Sequence, residues 1–233
     1  MQDTTPYFLR LGTEQEVSSF ALKSAEGTRY TLAGRIDWPA TSNMALRVRA
    51  PIHRLWLLGG TERFGAGDAE LRIKFRVLQI EDYIKVQAGV IETLPTGSSV
   101  RGLGNGAMVL TPFITGGRRF GRVITYAYVS DAVTLRNAKA RAYEDFTDPS
   151  TDHELRNAIG ISGGPFDMLQ GNFSLNATTI LTGPATGDTF VFAGAIAAYT
   201  PSDVVRVQLG GQLPIAGERR FEWKATLDAY LFF

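Results

Sequence analysis

The chain has 233 residues, a formal net charge of +1, 44% hydrophobic residues and no cysteine. That length holds one large β domain or two ordinary ones, and the near-neutral charge argues against nucleic acid as a partner, whose usual footprint is a basic excess. The lack of cysteine excludes disulfides, thiol catalysis and cysteine metal sites, and no run of about 18 apolar residues exists to form a transmembrane helix.

The opening MQDTTPYF has neither a basic n-region nor an apolar h-region, so it is not a signal peptide. The expectation is a mature sequence whose export signal has been removed, with residues 1–14 as an N-terminal periplasmic segment of a single domain, 1–233. Beyond it, helical periodicity is nearly absent and alternation of period two recurs, the mark of strands with two unlike faces. About twelve strands are predicted, near 15–24, 29–38, 44–56, 68–78, 83–93, 107–116, 122–131, 154–163, 173–182, 189–199, 204–213 and 221–233.

TLAGRIDW sets Leu32, Ile36 and Trp38 against Arg35 and Asp37, and MALRVRAPIH sets Leu46, Val48, Ala50 and Ile52 against Arg47, Arg49 and His53. AELRIKFRV is the clearest case, with Leu71, Ile73, Phe75 and Val77 on one face and Glu70, Arg72, Lys74 and Arg76 on the other. YIKVQAGV places Lys85 and Gln87 opposite its apolar set, and VVRVQLGG does the same with Arg206 and Gln208. The last strand carries Phe221, Trp223, Leu227, Leu231 and Phe233 on its apolar face, with Glu222, Lys224 and Asp228 between them.

A soluble antiparallel sheet also alternates, so the connections supply the second argument. One set is short, from PATSN and QIED to TGGRRFG and TPSD; the other includes long polar stretches, LLGGTERFGAG, LPTGSSVRGLGNG and the 132–153 loop. Short turns at one end and long loops at the other describe an all-β, transmembrane, antiparallel up-and-down β-barrel with both termini periplasmic. Lipid offers the backbone no hydrogen bonds, so such a sheet must close on itself, last strand to first. Ten or fourteen strands also satisfy the even count, because the facing of strands 1, 6, 7 and 10 is ambiguous.

If the apolar faces meet lipid, Arg35, Arg47, Arg49, Arg72, Lys74, Arg76, Lys85 and Arg206 line a basic lumen wall, with Asp37, Glu70, Glu222 and Asp228 as its acidic partners. Such a wall favours anions by focusing the field; alternatively the lumen is filled by ion pairs. The glycines Gly102, Gly104 and Gly106 open no helix and are read as loop flexibility rather than a nucleotide fingerprint. Glu144, Asp145, Asp148, Asp152, His153 and Glu154 are cation-ligand types in a spacing that matches no metal loop, so no metal and no cofactor is expected. Arg136, Lys139 and Arg141 suit lipopolysaccharide phosphates. With two histidines, His53 and His153, and no Gly-x-Ser-x-Gly elbow, an enzyme is not expected.

The C-terminal aromatic on an alternating strand resembles the terminal signature of bacterial outer-membrane proteins, and that resemblance implies recognition by the barrel-assembly machinery. A narrower likeness rests on GAGDAELRIKFRVL, ETLPTG, GLGNGAMVLTPF and FGRVITYAY, with Gly65, Gly67, Asp68, Leu94, Pro95, Thr96, Gly97, Gly104 and Gly106 as the matching residues. Over residues 60–130 the chain resembles the meta-pathway phenol-degradation, transporter-like family of outer-membrane proteins. The resemblance implies passage of small aromatic or hydrophobic molecules across the outer membrane, with no catalytic residues. The leading expectation is a monomeric, porin-like channel for passive diffusion of small anionic or aromatic solutes, embedded among outer-membrane lipids and lipopolysaccharide. The alternatives are a closed barrel with a structural or surface-binding role through the 132–153 loop and, behind it, a lipid hydrolase.

Overall fold

The computed structural model describes residues 10–21, 26–81, 83–135, 151–166, 168–183, 185–217 and 219–233. Thirteen strands account for most of them: β1 (Arg10–Ala21), β2 (Glu26–Pro39), β3 (Met44–Leu57), β4 (Glu62–Ala66), β5 (Ala69–Ile80), β6 (Ile84–Leu94), β7 (Val109–Phe120), β8 (Val123–Thr134), β9 (His153–Phe166), β10 (Leu169–Ile180), β11 (Thr189–Ser202), β12 (Val205–Ala216) and β13 (Trp223–Phe232). Each pairs antiparallel with its neighbour, and β13 pairs with β1 from Arg10↔Phe232 to Ser19↔Trp223, which closes the sheet. β4 and β5 lie end to end along β3, Ile52↔Ala66 on one side of the break and Arg49↔Glu70 on the other. They therefore count as one interrupted strand, and the wall is a closed barrel of twelve. Among the described residues no helix is long and apolar enough to cross a membrane.

The alternation sorts the faces as expected. On β2, Ile36 and Trp38 are 47% and 55% exposed on the outside, while the side chains of Arg35 and Asp37 are 8% and 14% exposed on the inside. An outer surface that keeps Leu32, Val48, Phe75, Ile159, Phe173 and Leu209 exposed is the inverse of a soluble protein and suits contact with hydrocarbon. Replacing Ile159, midway along β9, with arginine is therefore expected to cost about 2–4 kcal/mol in lipid vesicles. Ile159→Leu should be near neutral, both read from urea unfolding.

Most strands run longer than expected, β13 excepted. β1 begins at Arg10, so residues 10–14 belong to the wall rather than to a 1–14 periplasmic segment. LLGGTERFGAG is not a loop: β3 runs on to Leu57, turns over 58–61 and returns as β4. TGGRRFG shrinks to a turn at 121–122, because Gly116 to Phe120 continue β7 in register with β8. Turn-forming residues are absorbed wherever the neighbouring ladder supplies backbone hydrogen bonds, which outweigh weak intrinsic propensity. Where no bond can form, the sheet gives way: Pro112 lacks an N–H, and the β7–β8 pairing skips from Leu110↔Val133 to Phe113↔Ser130.

Both ends of the wall, Arg10 and Phe232, lie at the rim where short connections join β2 to β3, β5 to β6, β7 to β8, β9 to β10 and β11 to β12. The opposite rim carries the 95–108 loop. Most of the 132–153 loop, including Arg136, Lys139, Arg141, Glu144, Asp145 and Asp148, lies outside the described residues.

Candidate functional site

The inward face is chemically lopsided. Where β1, β2, β3 and β5 meet, cross-strand neighbours on the pleat are charged. Asp37 is the hub of one cluster, accepting from Arg35 (2.7 Å), Arg10 (2.9 Å) and Arg47 (2.5 Å). Glu14 bridges Arg35 (2.8 Å) and Arg49 (2.7 Å), and Arg49 continues to Glu70 (2.9 Å). Glu16 lies 3.3 Å from Lys224 and 3.5 Å from Arg29. Tyr230 of β13 completes the patch: its hydroxyl accepts from Arg35 (3.3 Å), and the guanidinium of Arg10 lies 4.7 Å from its ring centre.

The bases foreseen for this wall all fall on the inward face, but Glu14, which holds Arg35 and Arg49, and Glu16, which holds Arg29 and Lys224, were not foreseen. Glu14 and Glu16 sit on β1, whose outward positions Thr13 and Gln15 are polar too, so no alternation betrays its facing. Arg72 faces Arg47 across β3–β5 and stacks over Phe113, 4.3 Å from its centre. Lys74 and Arg76 follow it along β5, opposite Gly89 and Gln87 of β6, and Lys85 shares the Gln87 face. Arg206 donates to Gln170 (3.2 Å) on the far side of the barrel. Asp228 is directly opposite Glu14 on the β1–β13 seam.

Two expected roles are corrected. Glu222 is not a lumen partner: it precedes β13, is exposed, and accepts a hydrogen bond from Ser19 Oγ (3.1 Å) at the rim. Phe221 is not on the lipid face with Trp223, Leu227, Leu231 and Phe233. It is buried edge-on against Phe190 and Phe192, ring centres 5.3 and 5.6 Å away. The apolar alternation runs one residue pair beyond the strand that it describes, and there the chain folds over the barrel mouth. Beside this cluster Glu154, fully buried, binds Arg156 (3.1 Å) and Arg220 (2.9 Å).

The 95–108 loop is the second element. Gly67 and Asp68 interrupt the strand between β4 and β5, and this break turns the Asp68 carboxylate toward the loop. Its Oδ1 accepts the Gly97 N–H (2.8 Å) and its Oδ2 the Asn105 N–H (2.5 Å). Thr96 Oγ1 donates to the Gly67 carbonyl (2.9 Å) and accepts from the Ala69 N–H (2.8 Å). A short 3-10 turn, Ser99–Arg101, ends in Gly102 at φ +70°, and Gly106 has φ +67°. A Cβ on Gly104 would lie 2.4 Å from Asp68 Oδ1. These glycines therefore serve left-handed turns and close packing rather than flexibility. Gly102, Leu103, Gly104 and Asn105 are all buried. The residues that carry the family resemblance are, in space, one clasp that tucks the loop into the barrel.

Between clasp and charged wall lies a cavity of about 150 Å³, lined among others by Glu16, Arg29, Thr31, Arg49, His53, Glu70 and Lys224. His53 Nδ1 is 2.9 Å from Thr31 Oγ1, on the inside, whereas His153 Nε2 meets Asp131 (2.6 Å) on the outer face. The two histidines share no site. Among the described residues no group of three or more metal-ligand side chains converges.

Asp37 is the member of the wall with most to lose. Removing its charge takes a shared acid from three guanidinium groups, of which Arg35 keeps Glu14, and breaking a buried pair costs about 3–5 kcal/mol. Asp37→Asn is expected to lower the urea midpoint accordingly, while Glu62→Gln, whose exposed pair with Arg54 lies outside the barrel, should leave it unchanged.

No family model matches the chain, and no curated protein is significantly similar to it. Solved structures are similar in fold. An outer membrane channel from Pseudomonas putida F1 aligns at a TM-score of 0.82 with 15% identity, covering 100% of this chain and 99% of that one. The KdgM porin, in complex with disordered oligogalacturonate, aligns at 0.60 with 8% identity over 96% and 99% of the two chains. The NanC porin aligns at 0.60 with 7% identity over 97% and 98%. At such identities the likeness is one of architecture: this chain has the twelve-stranded fold of outer-membrane channels and porins.

Proposed function

We propose that the chain is a porin-like channel of the bacterial outer membrane, through which small solutes pass by passive diffusion. The carrying observation is a closed barrel whose outside is apolar and whose inside is charged and amide-rich, an inversion that only a membrane explains. The short-turn rim that holds both ends of the wall faces the periplasm, and the clasped loop faces outward, since outer-membrane barrels keep their short turns on the periplasmic side. Solutes are selected by size and charge, without a chemical step. On the inward face the bases of β2 to β6 outnumber the acids Glu14, Glu16, Asp37, Glu70 and Asp228, which favours anions, carboxylated aromatic compounds among them. The fold's similarity to channels and porins points the same way.

The reading that competes is a closed barrel with a structural role, favoured by the paired wall and by the loop held inside it. Swelling of proteoliposomes in an isotonic solution of a small sugar separates the two. A channel makes them swell faster than protein-free vesicles; unchanged swelling with folded protein would leave the closed barrel.

A further inference from the structure

We infer that the outer face of β6, β7 and β8, at the short-turn rim, carries a binding site for an anionic phospholipid of the phosphatidylglycerol type, centred on Arg118. The site depends on the proposed function only for an apolar outside that meets lipid and a periplasmic short-turn rim, and it requires no open channel.

The facing of Arg118 follows from register. It pairs with Ile84 of β6 and Thr125 of β8, in the same outward series as Ile114 and Phe120, which are 51% and 53% exposed. A base on the lipid face is costly at mid-membrane but tolerated near the interface, and Arg118 lies two residues from the end of β7, at the depth of headgroup phosphates. Its guanidinium lies over the Phe120 ring, 4.8 Å from the centre. Stacking occupies the face of the guanidinium and leaves its N–H edge for a phosphodiester, a planar fork matched to two oxygens.

Outward bases at the opposite rim are matched with acids, Arg54 with Glu62 and His153 with Asp131, each at 2.6 Å. Arg118 meets no acid across either seam, and the hydroxyl of Thr125 stands beside it as a second donor. The hairpin itself is basic, RRFGR over 118–122, against Glu81 and Asp82 between β5 and β6. One row deeper the wall is low. Gly116 has no side chain, its neighbours are Val86 and Ala127, and a Cβ added there would meet nothing nearer than Val86, at 3.8 Å. An acyl chain fits along this furrow with its phosphate at Arg118. A zwitterionic headgroup brings its own cation to the phosphate and gains less from the arginine.

The test is native mass spectrometry of the detergent-folded protein with equimolar phosphatidylglycerol and phosphatidylcholine of the same chains, then with lipid A, the fold being checked by heat-modifiable gel mobility. Phosphatidylglycerol is expected to be retained at least about fivefold over phosphatidylcholine. Arg118→Gln should remove most of that preference, whereas Arg54→Gln, at an outward base already paired, should keep it. Equal retention of the two lipids by the wild type, an unchanged preference in folded Arg118→Gln, or an equal loss in Arg54→Gln would overturn the proposal. So would a preference for lipid A over phosphatidylglycerol that Arg118→Gln removes, which would assign this rim to the other leaflet. A silent barrel that retains phosphatidylglycerol through Arg118 keeps the site without the channel, and a conducting one that does not keeps the channel without the site.

Discussion

Asp68→Ala is expected to release the 95–108 loop and turn a quiet, narrow barrel into a noisy, more conductive one. A hydrogen bond to a charged group is worth about 1.5–3 kcal/mol, and Asp68 holds two, from Gly97 and Asn105. Taken at the low end, their loss is about 3 kcal/mol, which shifts the ratio of clasped to released loop by about a hundredfold. The barrel itself should survive, because the β3–β4 and β3–β5 ladders on either side do not involve the carboxylate. Asp68→Asn keeps one acceptor oxygen but turns an amide donor toward a backbone N–H, so an intermediate effect is expected. Gly104→Val should act like Asp68→Ala by pushing on the same carboxylate, since even a Cβ there would lie 2.4 Å from it. Single-channel recording of the three variants at matched voltage reads the effect. Unaltered conductance and noise in all three would mean that the loop does not stand in the pathway.

The second large effect belongs to β5. The triple reversal Arg72→Glu, Lys74→Glu, Arg76→Glu is expected to turn an anion-leaning channel cation-selective. A unit charge about 8 Å from a permeating ion at an effective dielectric of about 20 is worth about 2 kcal/mol, and each substitution replaces attraction with repulsion. The shift should be largest at 0.1 M salt and shrink toward 1 M, as the screening length falls from about 10 to about 3 Å. Arg54→Glu is the control, since Arg54 lies on the outer face at the rim, paired with Glu62. Stability sets the limit on such designs. Arg72 also stacks on Phe113, so Arg72→Gln, which removes charge with less disturbance of shape, should shift selectivity in the same sense by a smaller amount.

Much of this architecture was legible in the sequence, and the residues show why. Leu71 to Val77 and Glu70 to Arg76 alternate without a break because β5 has lipid on one side and charge on the other. β1 has no such contrast: Thr13 and Gln15 on its outer face are as polar as Glu14 and Glu16 within, so these two acids went unseen while Asp37 and Glu70 were read. Asp68 meets partners 29 and 37 positions away, a contact that no local periodicity encodes. The family-like motifs marked the right residues there without revealing that they form one clasp. Phe221 misled in the opposite way, because its position continues a pattern after the strand that produced it has ended.

The central claim is a polar passage through a closed barrel, and planar-bilayer recording of the refolded wild-type protein under a salt gradient tests it most directly. Steady conductance steps with a reversal potential displaced toward the anion equilibrium are expected. Silence from protein that is folded by gel mobility, or a reversal potential displaced toward cations, would contradict it.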